Sequence, residues 1–331
     1  MSRKKWSRRE ITRAGLAAIA AGGAGYLLYR SYGDPASVFI GRATDYRADL
    51  RTLIETGLKE LGIGAMEIRG RTVLLKPNLV EPHEGRAHIN TNPAVIRATA
   101  EAFLSMGAAK VIVAEGAGHQ RDTLLVLERS GLGEVLHEDR IPFIDLNSAP
   151  LVEIPNKGWF ARLSRLTVAS VLLEADFIVS MAKMKTHHWA GVTLSMKNMF
   201  GIMPGCVYGW PKNVLHWAGI VESILDINAS FKADLAIVDG VVGMEGDGPI
   251  LGTPIQSGVI VMGRELAAVD ATCCRVMGID PFKIEYLARA HNRQGTISES
   301  RIEQRGEQIQ SVSCPFRLIE TIPAHARIRE S

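Results

Sequence analysis

The stretch from residue 183 to residue 201 collects polar side chains in an otherwise apolar part of the sequence. Lysine is rarely buried without a partner, so lysines embedded among Met, Val and Phe predict an anionic partner. That partner is a phosphate, the carboxylate of a substrate, or the side chains of Glu245 and Asp247. A solvated loop, in which the lysine stems cover apolar surface, is the alternative. The predicted ligand-binding residues of this stretch are Lys183, Lys185, Thr193, Lys197 and Asn198.

Two adjacent histidines, His187 and His188, lie inside the same stretch. Neighbouring side chains of an extended chain point in opposite directions, so we expect at most one of the two to face a site. We assign His187 to that role, either as an acid or base near neutral pH or as a metal ligand. A structural hydrogen bond is the competing role for a lone histidine. His216, near the start of a predicted helix, is a further candidate.

A second polar segment, Glu245-Gly246-Asp247-Gly248, is acidic and rich in glycine. Glycine lets the backbone approach a ligand closely, so Gly246 and Gly248 are predicted to contact one. Glu245 and Asp247 are predicted to act as a catalytic acid or base. Carboxylates also hold hard cations. The predicted metal ligands are His187, Asp239 and Glu245. A plain β-turn is the alternative for this segment.

Short apolar runs alternate with longer helical patterns along the chain. Strands are predicted at 72–76, 110–114, 142–146, 176–181, 234–238 and 259–262, and helices at 93–106, 122–129, 214–231 and 266–277. A repeated β-α-β order is typical of a parallel sheet covered by helices. We therefore predict an α/β fold: a mainly parallel open sheet with helices on both faces, plus a small irregular β insertion over 149–173. The tail over 301–317 is predicted to form a hairpin at the sheet edge.

The polar groups follow the carboxyl ends of predicted strands. Lys76 and Asn78 come at the end of the first strand, and Glu115 follows the second. In an open parallel sheet, ligands bind outside the carboxyl ends of the strands, where the strand order reverses. We therefore predict that Lys76, Asn78 and Glu115 join the residues above in one ligand-binding site.

The N-terminus carries Ser7-Arg8-Arg9 on a basic lead, followed by a weakly apolar run up to Leu28. This pattern predicts a twin-arginine signal or N-terminal anchor over residues 1–32, with the twin-arginine translocase as a partner. The protein is then expected in the periplasm, or anchored through the leader to the outer face of the inner membrane. A basic tail before an ordinary short helix is the alternative. Residues 33–331 are predicted to form a single α/β domain or two lobes.

Charge and cysteine content exclude two classes of function. The net charge of +3 comes from the leader: residues 2–13 hold six basic side chains and one acidic side chain, a net of +5, so the remainder is near −2. Nucleic-acid binding is therefore not expected. The four cysteines lack a C-x-x-C spacing, which makes a ferredoxin-type iron–sulfur cluster unlikely from the sequence. They are Cys206, Cys273, Cys274 and Cys314, and their disulfide pairing is left open.

Several of these segments together resemble the DUF362 family. The resemblance covers about residues 70–280 and rests on Lys76-Pro77-Asn78, Glu115-Gly116, Lys183-x-Lys185-x-His187, Thr193-x-x-x-Lys197-Asn198-x-x-Gly201, Asp239-Gly240, Glu245-Gly246-x-Gly248-Pro249 and Ala268-Val269-Asp270-Ala271. The family is named for its unknown function, so the resemblance implies an architecture and candidate positions but no reaction. Some members carry ferredoxin-like cysteine motifs, which this chain lacks.

Three hypotheses for the function follow. The first is an exported enzyme acting on a small anionic substrate, in which lysines bind the negative charge. His187 with Glu245 or Asp247 would then move protons or hold a divalent metal. The second is a non-catalytic accessory protein that binds a ligand or handles a cofactor. The third is a redox protein with a cofactor or cluster held either in trans or at Cys206 and other ligands. The identity of any cofactor is left open.

Overall fold

The computed structural model describes residues 35–82, 85–118 and 122–329. The predicted leader over residues 1–32 lies outside this part of the chain. The chain divides into two units, Met1–Pro35 and Ala36–Ser331, and every described residue except Pro35 belongs to the second. None of the helices in the described ranges combines the length and apolar character that a bilayer span requires.

Most strands of the described residues join one large sheet. The strands are β1 (Ala36–Arg42), β2 (Thr72–Pro77), β3 (Lys110–Glu115), β4 (Phe143–Asp145), β5 (Leu151–Pro155), β6 (Arg165–Ala169), β7 (Phe177–His187), β8 (Gly191–Thr193), β9 (Leu235–Glu245), β10 (Thr253–Ile255), β11 (Val259–Gly263) and β12 (Ile302–Gly306). Ten of these described strands form the sheet, in the order β12-β1-β11-β9-β7-β2-β3-β4, with β8 paired to β7 and β10 to β9. The five strands from β4 to β9 in this order run parallel, whereas β11 is antiparallel to both neighbours. β5 and β6 form a separate antiparallel pair.

The order of the parallel strands reverses at β2. From β2 the chain moves outward to β3 and β4, returns to the other side of β2 as β7, and continues to β9. Such a reversal leaves a crevice at the carboxyl ends of the strands that flank it. Pro77, at the end of β2, pairs with Met181, and β7 continues six residues further to His187. β7 therefore projects past the end of β2, and the crevice lies beside this projecting part of β7.

Helices cover both faces of the sheet. They are α1 (Leu50–Glu60), α2 (Ala65–Ile68), α3 (Pro93–Ser105), α4 (Thr123–Arg129), α5 (Leu132–Glu138), α6 (Val171–Glu174), α7 (Ser195–Asn198), α8 (Gly205–Tyr208), α9 (Asn213–Trp217), α10 (Ile220–Ser230), α11 (Leu266–Val276), α12 (Glu285–Ala290) and α13 (Ile309–Val312). In the part of the chain that the structure describes, single turns of 3₁₀ helix lie at Met199–Ile202, Pro281–Lys283, Glu299–Arg301 and Pro323–His325. The buried side chains of α1–α5 belong to one hydrophobic cluster and those of α6–α13 to a second.

Alternation along the strands explains this arrangement. Val73 and Leu75 of β2 belong to the cluster under α1–α5, whereas Leu74 between them belongs to the other cluster. A strand buried on both faces is apolar at successive positions, because neighbouring side chains point to opposite faces. The helices that follow β2 and β3 are capped as expected, since the side chains of Asn92 and Asp122 accept N–H groups of the first turn. The predicted fold class is confirmed.

Several boundaries differ from the prediction. β7 and β9 run to His187 and Glu245, well past their predicted ends, because β8 and β10 pair with their extensions. The helix predicted over 214–231 is two helices, α9 and α10, separated at Gly219, whose φ of 103° is not helical. The hairpin predicted over 301–317 is wrong: β12 pairs in parallel with β1, and the chain then forms α13.

Candidate functional site

β7 carries three predicted site residues at alternate positions, Lys183, Lys185 and His187. A regular strand would direct all three to the same face of the sheet. The pairing of β7 with β9 shifts register between Lys183 and Lys185. The extra residues belong to β9, because Lys183 pairs with Asp239 and Lys185 with Met244. Lys183 bonds to Asp239 and Tyr46, whereas Lys185 bonds to Asn78 and two carbonyl oxygens.

Lys183 is part of a closed ionic cluster with Asp239 and Tyr46. Its Nζ lies 2.8 Å from Oδ2 of Asp239 and 2.7 Å from the Tyr46 hydroxyl, and both charged side chains are fully buried. The Asp239 carboxylate also accepts the N–H groups of Asn92 and Val241. Burial lowers the pKa of Lys183, and the charge of Asp239 opposes that shift. The cluster satisfies its own charges, so we assign it a structural role.

Lys76 and Glu115 join the ends of β2 and β3. The Lys76 ammonium contacts Oε2 of Glu115 at 2.5 Å and also donates to Oδ1 of Asn198 at 3.2 Å. Gly201 lies directly over this pair, because a Cβ there would sit 2.2 Å from Oε1 of Glu115 and 2.6 Å from Nζ of Lys76. Only glycine allows the backbone to approach so closely. The glycine of the Asn198-x-x-Gly201 segment is therefore needed by the ion pair.

The short helix α7 is held in place by a carboxylate from a distant part of the chain. Asp270 in α11 accepts the N–H groups of Ser195 at 2.7 Å and Met196 at 3.0 Å. It also accepts the hydroxyl groups of Ser195 and Tyr286. These bonds satisfy donors at the amino end of α7 that the helix itself leaves unpaired. Asp270 thereby fixes the position of Lys197 in α7.

A cleft of about 570 Å³ opens at the carboxyl ends of β2, β3 and β7. Its volume is in the usual range for a small-molecule site. The predicted site residues that line it are Lys76, Asn78, Glu115, Lys185, His187, Thr193, Lys197, Asn198 and Asp247. Most of the wall is apolar and comes from Leu79, Val80, Trp189, Phe200, Ile250 and Leu251. Charged groups and apolar surface therefore share one crevice.

Lys185 reaches the cleft without an acidic partner. Its Nζ donates to Oδ1 of Asn78 at 2.8 Å, to the carbonyl oxygen of Ile89 at 2.8 Å and to that of Pro249 at 3.4 Å. No carboxylate of the described residues forms an ion pair with it. Its side chain is fully buried. Lys185 thus contributes positive charge to the cleft, while neutral oxygens occupy its three N–H groups.

Lys212 is held in the same way. It lies in the turn before α9, with a left-handed φ of 68°, and its side chain is buried. The ammonium donates to the carbonyl oxygens of Gly116 and Gly201 at 3.1 Å each and of Phe200 at 3.4 Å. No described carboxylate pairs with it. Lys212 therefore adds a second positive charge whose hydrogen-bonding capacity is already used.

Lys197 differs from the other lysines of the cleft because its N–H groups remain available. Its Nζ lies over the ring of Phe200, 4.2 Å from the centroid, and no described residue accepts a hydrogen bond from it or forms an ion pair with it. The hydroxyl of Thr193 is also buried without a hydrogen-bond partner in the described chain. Buried polar groups normally find partners. The Lys197 ammonium and the Thr193 hydroxyl therefore have hydrogen-bonding capacity left for a ligand.

Burial disfavours the charged form of these lysines and therefore lowers their pKa values. Burial and the charge of Lys76 lower the pKa of Lys212 to about 7 and that of Lys197 to about 8, although the charge of Glu115 opposes both shifts. Burial, together with the charges of Lys183 and Lys197, holds the pKa of Lys185 well below its usual range. A bound anion would oppose each of these shifts, because an opposite charge favours the protonated ammonium.

His187 is placed as a hydrogen-bond donor. Its Nδ1 accepts the N–H groups of Trp189 at 3.0 Å and Ala190 at 3.2 Å. Burial and the charge of Lys197 hold the pKa of His187 well below its usual range, so the ring is neutral at pH 7. A neutral imidazole whose Nδ1 accepts must carry its proton on Nε2. His187 therefore presents an N–H donor and has no free lone pair for a metal ion.

His216 has the opposite tautomer. Its Nδ1 lies 3.1 Å from the carbonyl oxygen of Lys212, which can only accept, so Nδ1 carries the proton. Burial and the charge of Lys197 lower the pKa of His216, which keeps the ring neutral. Its ring packs edge-on against Trp189 and lies beside Phe200. His216 lines the cleft with an unprotonated Nε2, the group that a proton acceptor requires.

The expectation that at most one of His187 and His188 would face the site is wrong. Both line the cleft, because the chain turns directly after His187 instead of staying extended. Nδ1 of His188 lies 3.4 Å from Oδ1 of Asp247, which also lines the cleft. This pair is partly exposed and marks the rim.

Four predicted residues of the acidic loop and its strand do not line the cleft. Glu245 faces the C-terminal segment, where its carboxylate accepts the N–H of Arg317 at 2.7 Å. Gly248 lies against β7, since a Cβ there would sit 2.0 Å from the carbonyl oxygen of Thr186. Gly246 and Asp239 are likewise absent from the cleft wall. Gly248 thus serves close backbone packing and Gly246 a left-handed turn with a φ of 80°, while Lys183 stays with Asp239 in its own cluster.

The three predicted metal ligands do not meet. Asp239 is bonded to Lys183, Glu245 to Arg317, and Nδ1 of His187 to backbone N–H groups. Within residues 35–82, 85–118 and 122–329, no three His, Cys, Asp or Glu side chains are grouped in a way that could hold a metal ion. All four cysteines are free, and none lines the cleft.

Sequence reasoning missed Lys212 and Glu81, which both line the cleft. Lys212 follows Trp210-Pro211, so the criterion that selected the other lysines, a charge among apolar residues, also applied to it. Its segment follows no predicted strand, and only the tertiary fold brings it beside Gly116. Glu81 follows Asn78 by three residues in an irregular segment without a distinctive pattern.

The fold and the cleft define an α/β protein with a ligand-binding crevice where the strand order of a mainly parallel sheet reverses. The chain belongs to the DUF362 family, a domain of unknown function, which it matches over residues 73–275. The matched range includes every cleft residue named above, together with Asp270.

One curated relative is the thylakoid-associated protein sll1697 of Synechocystis sp., which is 27% identical over 270 residues, covering 78% of this chain and 79% of the relative. Two solved structures are more distant. A Thermotoga maritima protein shares 16% identity with a TM-score of 0.44 over 69% of this chain. The lactate racemase apoprotein of Thermoanaerobacterium thermosaccharolyticum shares 14% identity with a TM-score of 0.47 over 74% of this chain. Each match spans 58% of the solved chain.

Proposed function

We propose that the cleft binds a small organic anion, that His216 accepts a proton from it, and that the neutral ring of His187 donates a hydrogen bond to it. The observation that carries the proposal is the convergence of three lysines without carboxylate partners, Lys185, Lys197 and Lys212, on one cleft. Buried charges are normally paired. An anionic ligand, either a phosphate or a carboxylate, would supply the missing partner.

The hydrogen bonds of the three lysines indicate how each would interact with an anion. The N–H groups of Lys185 and Lys212 already donate to fixed oxygens, so these lysines attract an anion only through the charge of their protonated form. Lys197 has free N–H groups and, with the hydroxyl of Thr193, would contact the anion directly. Hydrogen bonds that involve a charged group contribute about 1.5–3 kcal/mol each. Lys197 is therefore the side chain on which affinity should depend most.

Binding is tested by isothermal titration with inorganic phosphate, methyl phosphate, acetate, glycolate and benzoate. We expect at least one of these anions to bind the wild type and to bind Lys197→Met at least about tenfold more weakly, which is about 1.4 kcal/mol. Lys110→Met is the matched control, because Lys110 is exposed at the opposite end of β3. The proposal is overturned if none of the anions binds, or if Lys197→Met binds as the wild type does.

Proton transfer is tested on the anion that binds. In D₂O, we expect the protein to exchange an acidic C–H hydrogen of a bound carbon acid such as glycolate, followed by proton NMR. His216→Asn keeps a side-chain N–H for the Lys212 carbonyl but lacks the ring nitrogen that accepts a proton, so it should bind and not exchange. Exchange at the wild-type rate in this variant would refute the role of His216.

A non-catalytic carrier is the second candidate function. The fixed positions of Lys185 and Lys212 favour it, because a preformed cage of charges needs no chemical step to select an anion. Binding without hydrogen exchange in the wild type would support a carrier function and contradict an enzymatic one.

Export through the twin-arginine route is a further part of the proposal. It is supported by Arg8-Arg9 before an apolar run. The description of the Synechocystis relative as thylakoid-associated favours attachment to a membrane. A reporter fused after residue 34 should reach the periplasm and should fail to do so when Arg8 and Arg9 are both changed to Lys. Unchanged export of that double variant would contradict the assignment.

A further inference from the structure

The cleft has buried lysines inside, and its rim carries large exposed apolar side chains beside the His188–Asp247 pair. Lys76 and Lys185 are completely buried, whereas Leu251 and Trp189 at the same cleft are 78% and 59% exposed. Charged side chains are normally exposed and large apolar ones buried. The inversion matches a ligand whose charged end enters first.

Separate segments of the chain supply the apolar part of the cleft. Leu251 and Ile250 follow the acidic loop, Val80 follows β2, and Trp189 lies in the turn between β7 and β8. Their convergence on one opening needs three independent segments, which makes it unlike a single exposed side chain. The deeper wall is also apolar, since Phe200 is almost fully buried beneath the ring of His216.

From this gradient we infer that the ligand is amphiphilic, with an anionic head at Lys197 and Thr193 and an apolar body along Trp189 and Leu251. The inference rests on the proposed anion site and adds the class of ligand. The cleft of about 570 Å³ is much larger than inorganic phosphate needs. An apolar body would fill that volume and cover the exposed side chains, whose removal from water favours binding.

A homologous series measures the apolar contribution apart from the anionic one. The probes are n-alkyl phosphates and n-alkanoates of increasing chain length, used below their micelle concentrations. Each methylene that is fully buried contributes about 0.8 kcal/mol, which corresponds to about fourfold in Kd. We expect Kd to fall about two- to fourfold per methylene in the series that binds, and then to level off when the chain passes Leu251.

Substitutions of two rim residues test whether the apolar body of the ligand lies along the rim. Leu251→Ser and Trp189→Ala should reduce the dependence of Kd on chain length and leave the Kd of the shortest probe within about twofold, because the rim does not touch the head group. Leu173→Ser is the matched control, since Leu173 is 53% exposed in α6 and does not line the cleft. Its chain-length dependence should equal that of the wild type.

The two proposals fail in different ways. If the short probes bind and longer chains bind no better, the amphiphile is overturned and the anion site stands. If no probe of any length binds, the anion site itself is overturned. A normal chain-length dependence in both rim variants would also overturn the amphiphile.

The amphiphile could be a free molecule or a membrane lipid, and a vesicle experiment separates these sources. Phosphatidylcholine vesicles with and without phosphatidic acid are sedimented with the protein lacking residues 1–34, checked for folding by circular dichroism. Sedimentation that requires phosphatidic acid and is abolished by octyl phosphate identifies a lipid. Binding of octyl phosphate without sedimentation identifies a free amphiphile. Either result supports the amphiphilic ligand.

Discussion

Lys183 and Lys185 are two positions apart in the same strand and equally buried, yet their surroundings differ. Lys183 lies 2.8 Å from the carboxylate of Asp239, which has further donors around it. Lys185 contacts only neutral oxygens, and Lys197 in the facing helix has no hydrogen-bond acceptor in the described chain. One region therefore balances its charge internally, and the other leaves positive charge facing a cleft.

This contrast shows that burial alone does not identify a ligand site. The sequence marks Lys183, Lys185 and Lys197 in the same way, as lysines among apolar residues. What distinguishes them is the partner of each ammonium, which depends on contacts with β9, β2 and α7. Removing a buried lysine that has its own carboxylate leaves that carboxylate unpaired and destabilises the fold, whereas removing a lysine without one leaves no such charge. Substitutions in the two regions should therefore affect different measurements.

The largest effect is expected from Lys183→Met. It leaves Asp239 as an unpaired buried charge, and breaking such a pair costs about 3–5 kcal/mol of unfolding free energy. Lys197→Met removes no hydrogen bond within the described chain and should not lower the unfolding free energy by more than about 1 kcal/mol. Chemical denaturation of both variants measures the difference. Equal losses in the two variants would remove the distinction between the regions.

Asp270→Ala should have the next largest effect. It removes the acceptor of two backbone N–H groups of α7 and of the hydroxyl groups of Ser195 and Tyr286, and each unsatisfied buried donor costs about 1–3 kcal/mol. We expect a loss of about 3 kcal/mol in unfolding free energy and weaker anion binding, because Lys197 loses its fixed position. Asp270→Asn keeps one acceptor oxygen and should lose less. Unchanged anion affinity in a folded Asp270→Ala protein would show that α7 does not position Lys197.

The pH dependence of stability tests the unpaired lysines. Lys197 and Lys212 have pKa values of about 8 and about 7 in the fold and about 10.5 when unfolded. The unfolded chain binds more protons across this window, so each lysine raises the unfolding free energy by up to about 1.4 kcal/mol per pH unit until about 10.5. This stability is complete above the unfolded pKa and is lost as pH falls through the folded pKa.

Comparing the wild type with Lys197→Met measures the contribution of Lys197 alone to the unfolding free energy. Between about pH 8 and about pH 9, the wild type should gain about 1 kcal/mol relative to the variant. The binding anion at saturation should reduce that gain, because it keeps Lys197 protonated. Anion affinity should correspondingly decrease as pH rises above about 8. Parallel pH profiles for wild type and variant would contradict the lowered pKa of Lys197.

The smallest effect is expected from Thr193→Val. The substitution replaces an unpartnered hydroxyl by a methyl group of similar size, so the unfolding free energy should stay equal or rise by less than about 1 kcal/mol. Anion affinity should fall about fivefold, which corresponds to about 1 kcal/mol, because one hydrogen bond to the ligand is lost. A loss of stability without a loss of affinity would place the hydroxyl in the fold instead of the site.

Much of the sheet could be predicted because its signals are local. The apolar runs that became β2, β3 and β11 and the capped helices α3 and α4 are visible within windows of a few residues. The ends of β7 and β9 could not be predicted, since pairing with β8 and β10 extends them past polar residues. The tail hairpin failed for a related reason: β12 pairs with β1, which is distant in sequence.

The sequence by itself determined the α/β class, the family and the set of polar segments from which the cleft is built, because each depends on residue types at short spacings. The tertiary structure alone decided which of those side chains meet. It paired Lys183 with Asp239, turned Glu245 toward Arg317, and brought Lys212 to the cleft. The tautomers of His187 and His216 follow from hydrogen bonds to backbone groups whose positions the fold sets. Charge balance and protonation depend on distances of a few ångströms between residues far apart in sequence, and only folding fixes those distances.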